Sequence, residues 1–393
     1  MATPRDSLAR ELEALERPAL LRRLSLYDWL WAVVCVFAGA VALALFHAEL
    51  SYYEVGILVG VVLWLVPQGW HWKPARTFTL IVGATALFAV SRYPELALAE
   101  QDFFLDYLLA SQSAFMWMCF FFLGAMVLYF ADLLVPREGA FVGRLATAFT
   151  WLGSGAGLVG LLVRWWETYL HGPDMGYFPV SNLYEVFVLL AVTIGLLYLY
   201  YEWRFATRAL GGFVMLVVAA AIGFLLWYTF VQEAHYIEPI VPALQSWWMK
   251  IHVPTNFVAY GAFSVAAMVG VAYLLRERAR PGGIVDRRLP ASSQMDELMY
   301  KAIALGFAFF TLATILGALW AAEAWGAYWS WDPKETWSLI VWVNYAAWLH
   351  MRFTKGWRGP LMAWWAIIGL LVTTFCFLGV NIFLSGLHAY GEL

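Results

Sequence analysis

Long apolar runs separated by short polar connectors dominate this chain. Eleven runs are long enough to read as membrane-spanning helices. They fall at 29–46, 54–70, 77–91, 113–135, 145–166, 183–201, 210–230, 253–275, 302–321, 336–353 and 361–384. The third is the shortest. The pattern predicts an all-α, polytopic integral membrane protein with about eleven transmembrane helices.

Composition agrees. Hydrophobic residues make up 63% of the 393 residues and charged residues 13%. Soluble proteins have roughly 45–50% and about 25%. The expected surroundings are membrane lipid, with no nucleic-acid partner. Cys35, Cys119 and Cys376 lie singly in apolar runs, with no C-x-x-C. That excludes a thiol oxidoreductase and a c-type cytochrome. No cleavable signal peptide is read, and the charged first 28 residues read as a cytoplasmic tail.

Charge sets the expected orientation. With the N-terminus inside, only Arg92, Arg164, Lys250 and Lys334 of the 24 Lys+Arg fall outside. The other twenty fall on the cytoplasmic side, six of them in the loop 276–301. The positive-inside rule then puts the connector between the ninth and tenth spans outside, together with the C-terminus.

That connector is the most informative segment. Trp325-Gly-Ala-Tyr-Trp-Ser-Trp-Asp-Pro-Lys-Glu-Thr-Trp337 holds five aromatics in thirteen residues. A plain interface uses one or two. Trp325, Tyr328 and Trp329 are spaced so that one helical turn would stack them. Trp331 extends the same apolar shelf, which suits a large planar ligand. Its end reads locally as a helix start: Asp332 as N-cap, Pro333 at the first helical position, Glu335 at the third. That reading explains Asp332 without a ligand but leaves the tryptophans unexplained. Asp332 and Glu185 are the best acidic candidates for chemistry, and nothing in their spacing assigns them a role.

Three histidines matter by depth. His252 starts the eighth span and His388 follows the eleventh, so both belong at the connector's level. Two imidazoles flanking an aromatic shelf suit a bis-His haem, whose iron needs two axial ligands. Each alone could equally cap a helix end. His350 lies eighteen residues past the helix start at Asp332, roughly 27 Å down on the cytoplasmic side. An ionisable residue there is either functional or hydrogen-bonded to a neighbouring helix. His47 and His71 read as interface residues, and His171 and His235 as loop residues.

With these residues in view, the segment Trp325–Arg352 resembles the WWD-domain haem-handling proteins. Within them it is similar to the CcsA/ResC branch of System II cytochrome c synthesis. Pro179-Val-Ser-Asn-Leu-Tyr-Glu185, Gln245-Ser-Trp-Trp-Met-Lys-Ile-His252 and Gly379-Val-Asn-Ile-Phe-Leu-Ser-Gly-Leu-His388-Ala-Tyr390 fit the same resemblance. It covers about residue 113 onward. It divides the chain into an extra N-terminal module of about three helices, 1–112, and a haem-handling domain, 113–393. No role carries over to the first module.

The resemblance implies a bacterial cytoplasmic-membrane protein that handles haem b as transported substrate and ligand. His252 and His388 match outer-surface iron ligands. His350 matches an intramembrane histidine that receives haem from the cytoplasm. Trp325, Tyr328, Trp329, Trp331 and Asp332 match the surface that presents haem to an apocytochrome c. A CcsB/ResB-type membrane partner is implied, as is a place in a holocytochrome c synthase. No catalytic side chain is assigned. Two other classes stay open on the residues alone. One is a bis-His membrane cytochrome for quinone-linked electron transfer, although no span carries two histidines a dozen residues apart. The other is a transporter of a different planar solute.

Overall fold

The computed structural model describes residues 24–93, 95–134, 140–172 and 175–388. Most of the expected cytoplasmic tail, Arg137 and Tyr390 lie outside these residues. The described elements are helical, and eleven of the helices are long. They are α1 Leu26–Phe46, α2 Tyr52–His71, α3 Lys73–Ser91, α4 Ser111–Leu134, α5 Ala140–Leu170, α6 Leu183–Phe205, α7 Gly211–Phe230, α8 Met249–Glu277, α9 Ser292–Trp325, α10 Pro333–Thr354 and α11 from Pro360. The last continues through a π-helical turn, Phe375–Gly379, into Val380–Phe383.

Ten of the eleven are long and apolar enough to cross a membrane. The exception is α10. Its 22 residues give the length, but Lys334, Glu335, Asn344, His350 and Arg352 dilute its apolar character. Helix α9 runs 34 residues against a predicted 302–321. At 1.5 Å per residue it is about 51 Å long, well beyond a hydrocarbon core of about 30 Å. Hydropathy marks only its lipid-length middle, and its first turns carry Asp296, Glu297 and Lys301.

Residues up to Leu80 form one compact unit and those from Ile81 another. In the first, α1 and α2 make a hairpin. The Trp31 indole donates to the Leu65 carbonyl at 3.0 Å and the Trp70 indole to the Asp28 carbonyl at 2.9 Å. Arg76 pairs with the Asp28 carboxylate. Gly69 has no alternative, because a Cβ there would stand 2.2 Å from the Trp31 ring.

In the second unit α8 is central, packed on α6, α7, α9 and α11. It is apolar all round, as a helix buried within a larger bundle must be. Small residues, Gly261, Ala262, Ala266, Ala267, Gly270 and Ala272, line it. They let neighbouring backbones approach. A Cβ on Gly270 would stand 3.0 Å from the Ala363 carbonyl of α11. Phe263 of α8 stacks face to face on Tyr345 of α10, centroids 3.6 Å apart.

Several buried charges of this unit are tied in pairs. Arg164 of α5 and Glu185 of α6 are both fully buried and meet at 2.7 Å. Arg164 also donates to the carbonyls of His235 and Tyr236, 2.9 and 3.3 Å. Glu185 also accepts from the Ser181 amide and hydroxyl. This cluster fastens the loop after α7 to the bundle, so Glu185 acts here as a structural anion. Elsewhere Asp296 of α9 takes a two-pronged contact from Arg352 of α10, 2.6 and 2.8 Å.

Removing one member of a buried pair strands the other. Arg164→Met should therefore destabilise the protein by about 3–5 kcal/mol, and adding Glu185→Leu should restore much of it. Thermal unfolding in detergent measures both. A double variant no better than the single would remove the pair from this role.

Candidate functional site

The site is assembled where four chain segments end together: the start of α8, the end of α9, the start of α10 and the tail after α11. Trp248 at the start of α8 donates its indole N–H to Glu323 near the end of α9, 2.7 Å. The Lys334 ammonium of α10 donates to the Phe377 carbonyl and the Asn381 side chain of α11, 2.9 and 2.8 Å. Phe377 sits in the π-helical turn, where the widened backbone leaves its carbonyl open to a side chain.

The helix start expected at Asp332 forms, with a full capping box. The Glu335 carboxylate accepts from the Ser330 and Asp332 amides, 2.7 and 3.2 Å. Asp332 does more than cap. One oxygen accepts from the Lys334 amide at 2.9 Å and from His388 Nδ1 at 2.9 Å. The other accepts from the Leu387 amide at 2.6 Å. The carboxylate so holds the tail, and His388 within it, against the start of α10. Burial alone would raise the Asp332 carboxyl. The Lys334 and Leu387 amides and the His388 imidazole outweigh it and hold the group below the ordinary carboxylate range. Burial pushes His388 below the ordinary histidine value, partly offset by Asp332. Because a carboxylate can only accept, Nδ1 of His388 carries a proton toward it.

His252 is likewise held through Nδ1, 2.9 Å from the Ala313 carbonyl of α9. Each ring meets a tryptophan edge to face. Trp320 stands 5.7 Å from His252, and Trp325 stands 4.6 Å from His388. Both imidazoles pack on the last turns of α9, His252 on Ala313, Gly317 and Trp320 and His388 on Trp325. Among the described residues Nε2 of His388 takes no hydrogen bond, and Nε2 of His252 meets only the Asn256 side-chain nitrogen, at 3.3 Å. A histidine fixed by a hydrogen bond at one nitrogen and offering the other is the arrangement of metal-binding imidazoles. Among the described residues no three His, Cys, Asp or Glu side chains converge as for a bare ion. A porphyrin brings four iron ligands of its own and asks for two.

The aromatic connector folds differently from the expected stack. Helix α9 ends at Trp325, and Gly326 takes φ 78°, a left-handed conformation that stops the helix. Trp325 therefore turns to His388, and Tyr328 and Trp329 leave the helical spacing. Tyr328 and Trp331 are largely exposed, at 65% and 68%. Trp329 meets Trp331 edge to face at 5.8 Å. Trp331 holds φ 61°, which is strained for a bulky residue. The connector so displays rings at the surface rather than burying them.

His350 is apart from this group. It lies four residues from the end of α10 and is exposed. Among the described residues its ring forms no hydrogen bond to a neighbouring helix. Of the features that sequence reading passed over, Asn256 and Trp320 stand against His252. Only Asn256 had a signal, four residues from His252 on one helix face.

The family described as "Cytochrome C assembly protein" matches residues 180–388, ending on His388 itself. The "Cytochrome c biogenesis protein CcsA" of Porphyra purpurea is 34% identical over 309 residues, covering 69% of this chain and 94% of its own length. That of Parasynechococcus marenigrum (strain WH8102) is 37% identical over 261 residues, covering 59% of this chain and 81% of its own length. The solved structure of "Cytochrome c Heme Lyase CcmF" overlays 69% of this chain with a TM-score of 0.49 and 22% identity. This chain spans about half of that protein, 48%.

Losing the Asp332 carboxylate should release the tail. Asp332→Ala should speed hydrogen exchange at the Leu387 amide by about tenfold, the size of one charge-assisted hydrogen bond. Asp332→Asn keeps the cap but turns an N–H toward the Leu387 amide, so it should fall between the two. Unchanged exchange in both would mean the tail is held by other contacts.

Proposed function

Because this chain belongs to the cytochrome c assembly protein family, as a CcsA-type cytochrome c biogenesis membrane protein, we propose that it exports haem and presents it for covalent attachment to apocytochromes. One observation carries the reading. His252 and His388, 136 residues apart in sequence, lie at the same end of the bundle, each held through Nδ1, with Nε2 of His388 open and that of His252 against Asn256. The exposed rings of Tyr328 and Trp331, beside Trp329, supply flat apolar contact for a porphyrin.

In this reading haem b enters near His350 and moves to the His252 and His388 pair. The exposure of His350 fits a half-site whose second ligand comes from a CcsB/ResB-type partner in the membrane. The acceptor is an apocytochrome c bearing Cys-x-x-Cys-His. Each thiol adds across one haem vinyl group: sulfur bonds one vinyl carbon and hydrogen the other, with no net change in electrons. The chain's contribution is positioning and exclusion of water. Asp332 orients His388, the connector rings hold the porphyrin, and no side chain is assigned as acid or nucleophile. The assembly acts as a holocytochrome c synthase, with the connector facing outside the cytoplasmic membrane.

The test is expression with an apocytochrome in a host lacking any maturation system. Covalent haem should appear with the partner present, and fall at least tenfold in His252→Ala or His388→Ala, where bound haem loses an axial ligand and changes spectrum. Maturation by this chain alone, or unchanged spectra in both variants, would refute the assignment.

Orientation has its own measurement. Cysteines placed at Ser330 and Ser385 should react with an impermeant thiol reagent in intact cells, and one at Ser292 should not. Labelling at 292 from outside would reverse the topology.

A further inference from the structure

The two histidines are not equivalent. His388 is backed by the Asp332 carboxylate, and among the described residues nothing donates to its Nε2. A carboxylate behind an imidazole raises its basicity and strengthens it as a ligand. His252 is backed only by a neutral carbonyl, that of Ala313. Its Nε2 is also occupied. The Asn256 side-chain nitrogen stands 3.3 Å from it, one turn along α8.

The proton positions follow from the partners. A carbonyl can only accept, so His252 Nδ1 must carry the proton. Nε2 then presents its lone pair, and the Asn256 amide must turn its N–H toward it. The amide oxygen of Asn256 is buried without a hydrogen-bond partner. This side chain therefore keeps one half of its polar group unsatisfied while its nitrogen sits on the imidazole. The ring itself has little freedom. A Cβ on Gly317 would stand 2.9 Å from its Cε1, and Trp320 meets its edge.

We propose that Asn256 guards the iron-binding nitrogen of His252, making His252 the labile axial ligand and His388 the anchor. This rests on the haem reading of the two histidines. When iron binds, one N–H···N hydrogen bond breaks and one Fe–N bond forms. The Nδ1 proton stays on the Ala313 carbonyl side, so the exchange needs no acid, base or electron. When the iron lets go, the amide takes the lone pair back and slows rebinding. Haem then remains on one ligand, with the other position open to an incoming group.

Carbon monoxide reports this directly, because it must displace one imidazole from six-coordinate ferrous haem. The full chain is purified in detergent, loaded with haem and reduced with dithionite. Asn256→Leu and Asn256→Ala remove the guard and stabilise only the ligated state by comparison. Both should raise the half-saturating carbon monoxide concentration by about fivefold, the size of one neutral hydrogen bond. Each variant's wild-type reduced spectrum is the control for folding. His252→Ala should lower the half-saturating concentration and keep more haem than His388→Ala. Unchanged or lowered concentrations in both Asn256 variants, with the His252→Ala effect intact, would overturn the guard and leave the ligand assignment standing. Greater haem loss in His252→Ala than in His388→Ala would reverse anchor and labile ligand. No effect of either histidine replacement would overturn the haem reading itself.

Discussion

The carboxylate of Asp332 accepts from two neighbouring donors of one distant segment, 55 and 56 residues on, as well as from its own helix start. A capping residue ordinarily satisfies one orphan amide of its own helix. Here the same group also ends the wandering of the tail after α11 and fixes the tautomer of His388. The site needs both. A histidine on an unattached tail would hold no fixed position. The remaining parts, Lys334 on the π-helical turn and Trp325 on the imidazole, make sense only once that tail is in place.

The same logic runs through the other charges in this apolar bundle. An isolated ion in a medium of low dielectric is strongly disfavoured, so each buried one is given a partner or a ring of dipoles. Arg164 and Glu185 lock a loop, and Asp296 and Arg352 join α9 to α10. Lys334 has a carbonyl and an amide oxygen. His350 differs from these. It is exposed on a helix that is otherwise read as crossing the membrane, and among the described residues its ring forms no hydrogen bond.

Much of this was legible in the sequence. Apolar runs mark all eleven long helices, although α10 falls short on mean apolarity, because runs of that length have few other uses. The cap at Asp332 and the level shared by His252 and His388 follow from local pattern and span counting. What stayed hidden depends on contacts between distant residues. Glu185 reads as an acid candidate until Arg164 is seen beside it. The stack of Trp325, Tyr328 and Trp329 assumes a helix that Gly326 ends. Asn256 has the right spacing, but only the Ala313 carbonyl fixes which nitrogen of His252 it meets. The polar content of α10 hides a helix of membrane length from an apolarity test.

The π-helical turn at Phe375–Gly379 has a consequence for descent. Such a turn holds one residue more than an α-helix needs. Deleting a single residue there would restore regular winding and rotate the last turn of α11 by about 100°. Asn381 would swing off Lys334, and His388 would leave the wall that Asp332 provides. Substitutions can drift through this helix as long as its faces stay apolar. Changes of length cannot, so the number of residues from Pro360 to His388 is a stricter heirloom than their identities.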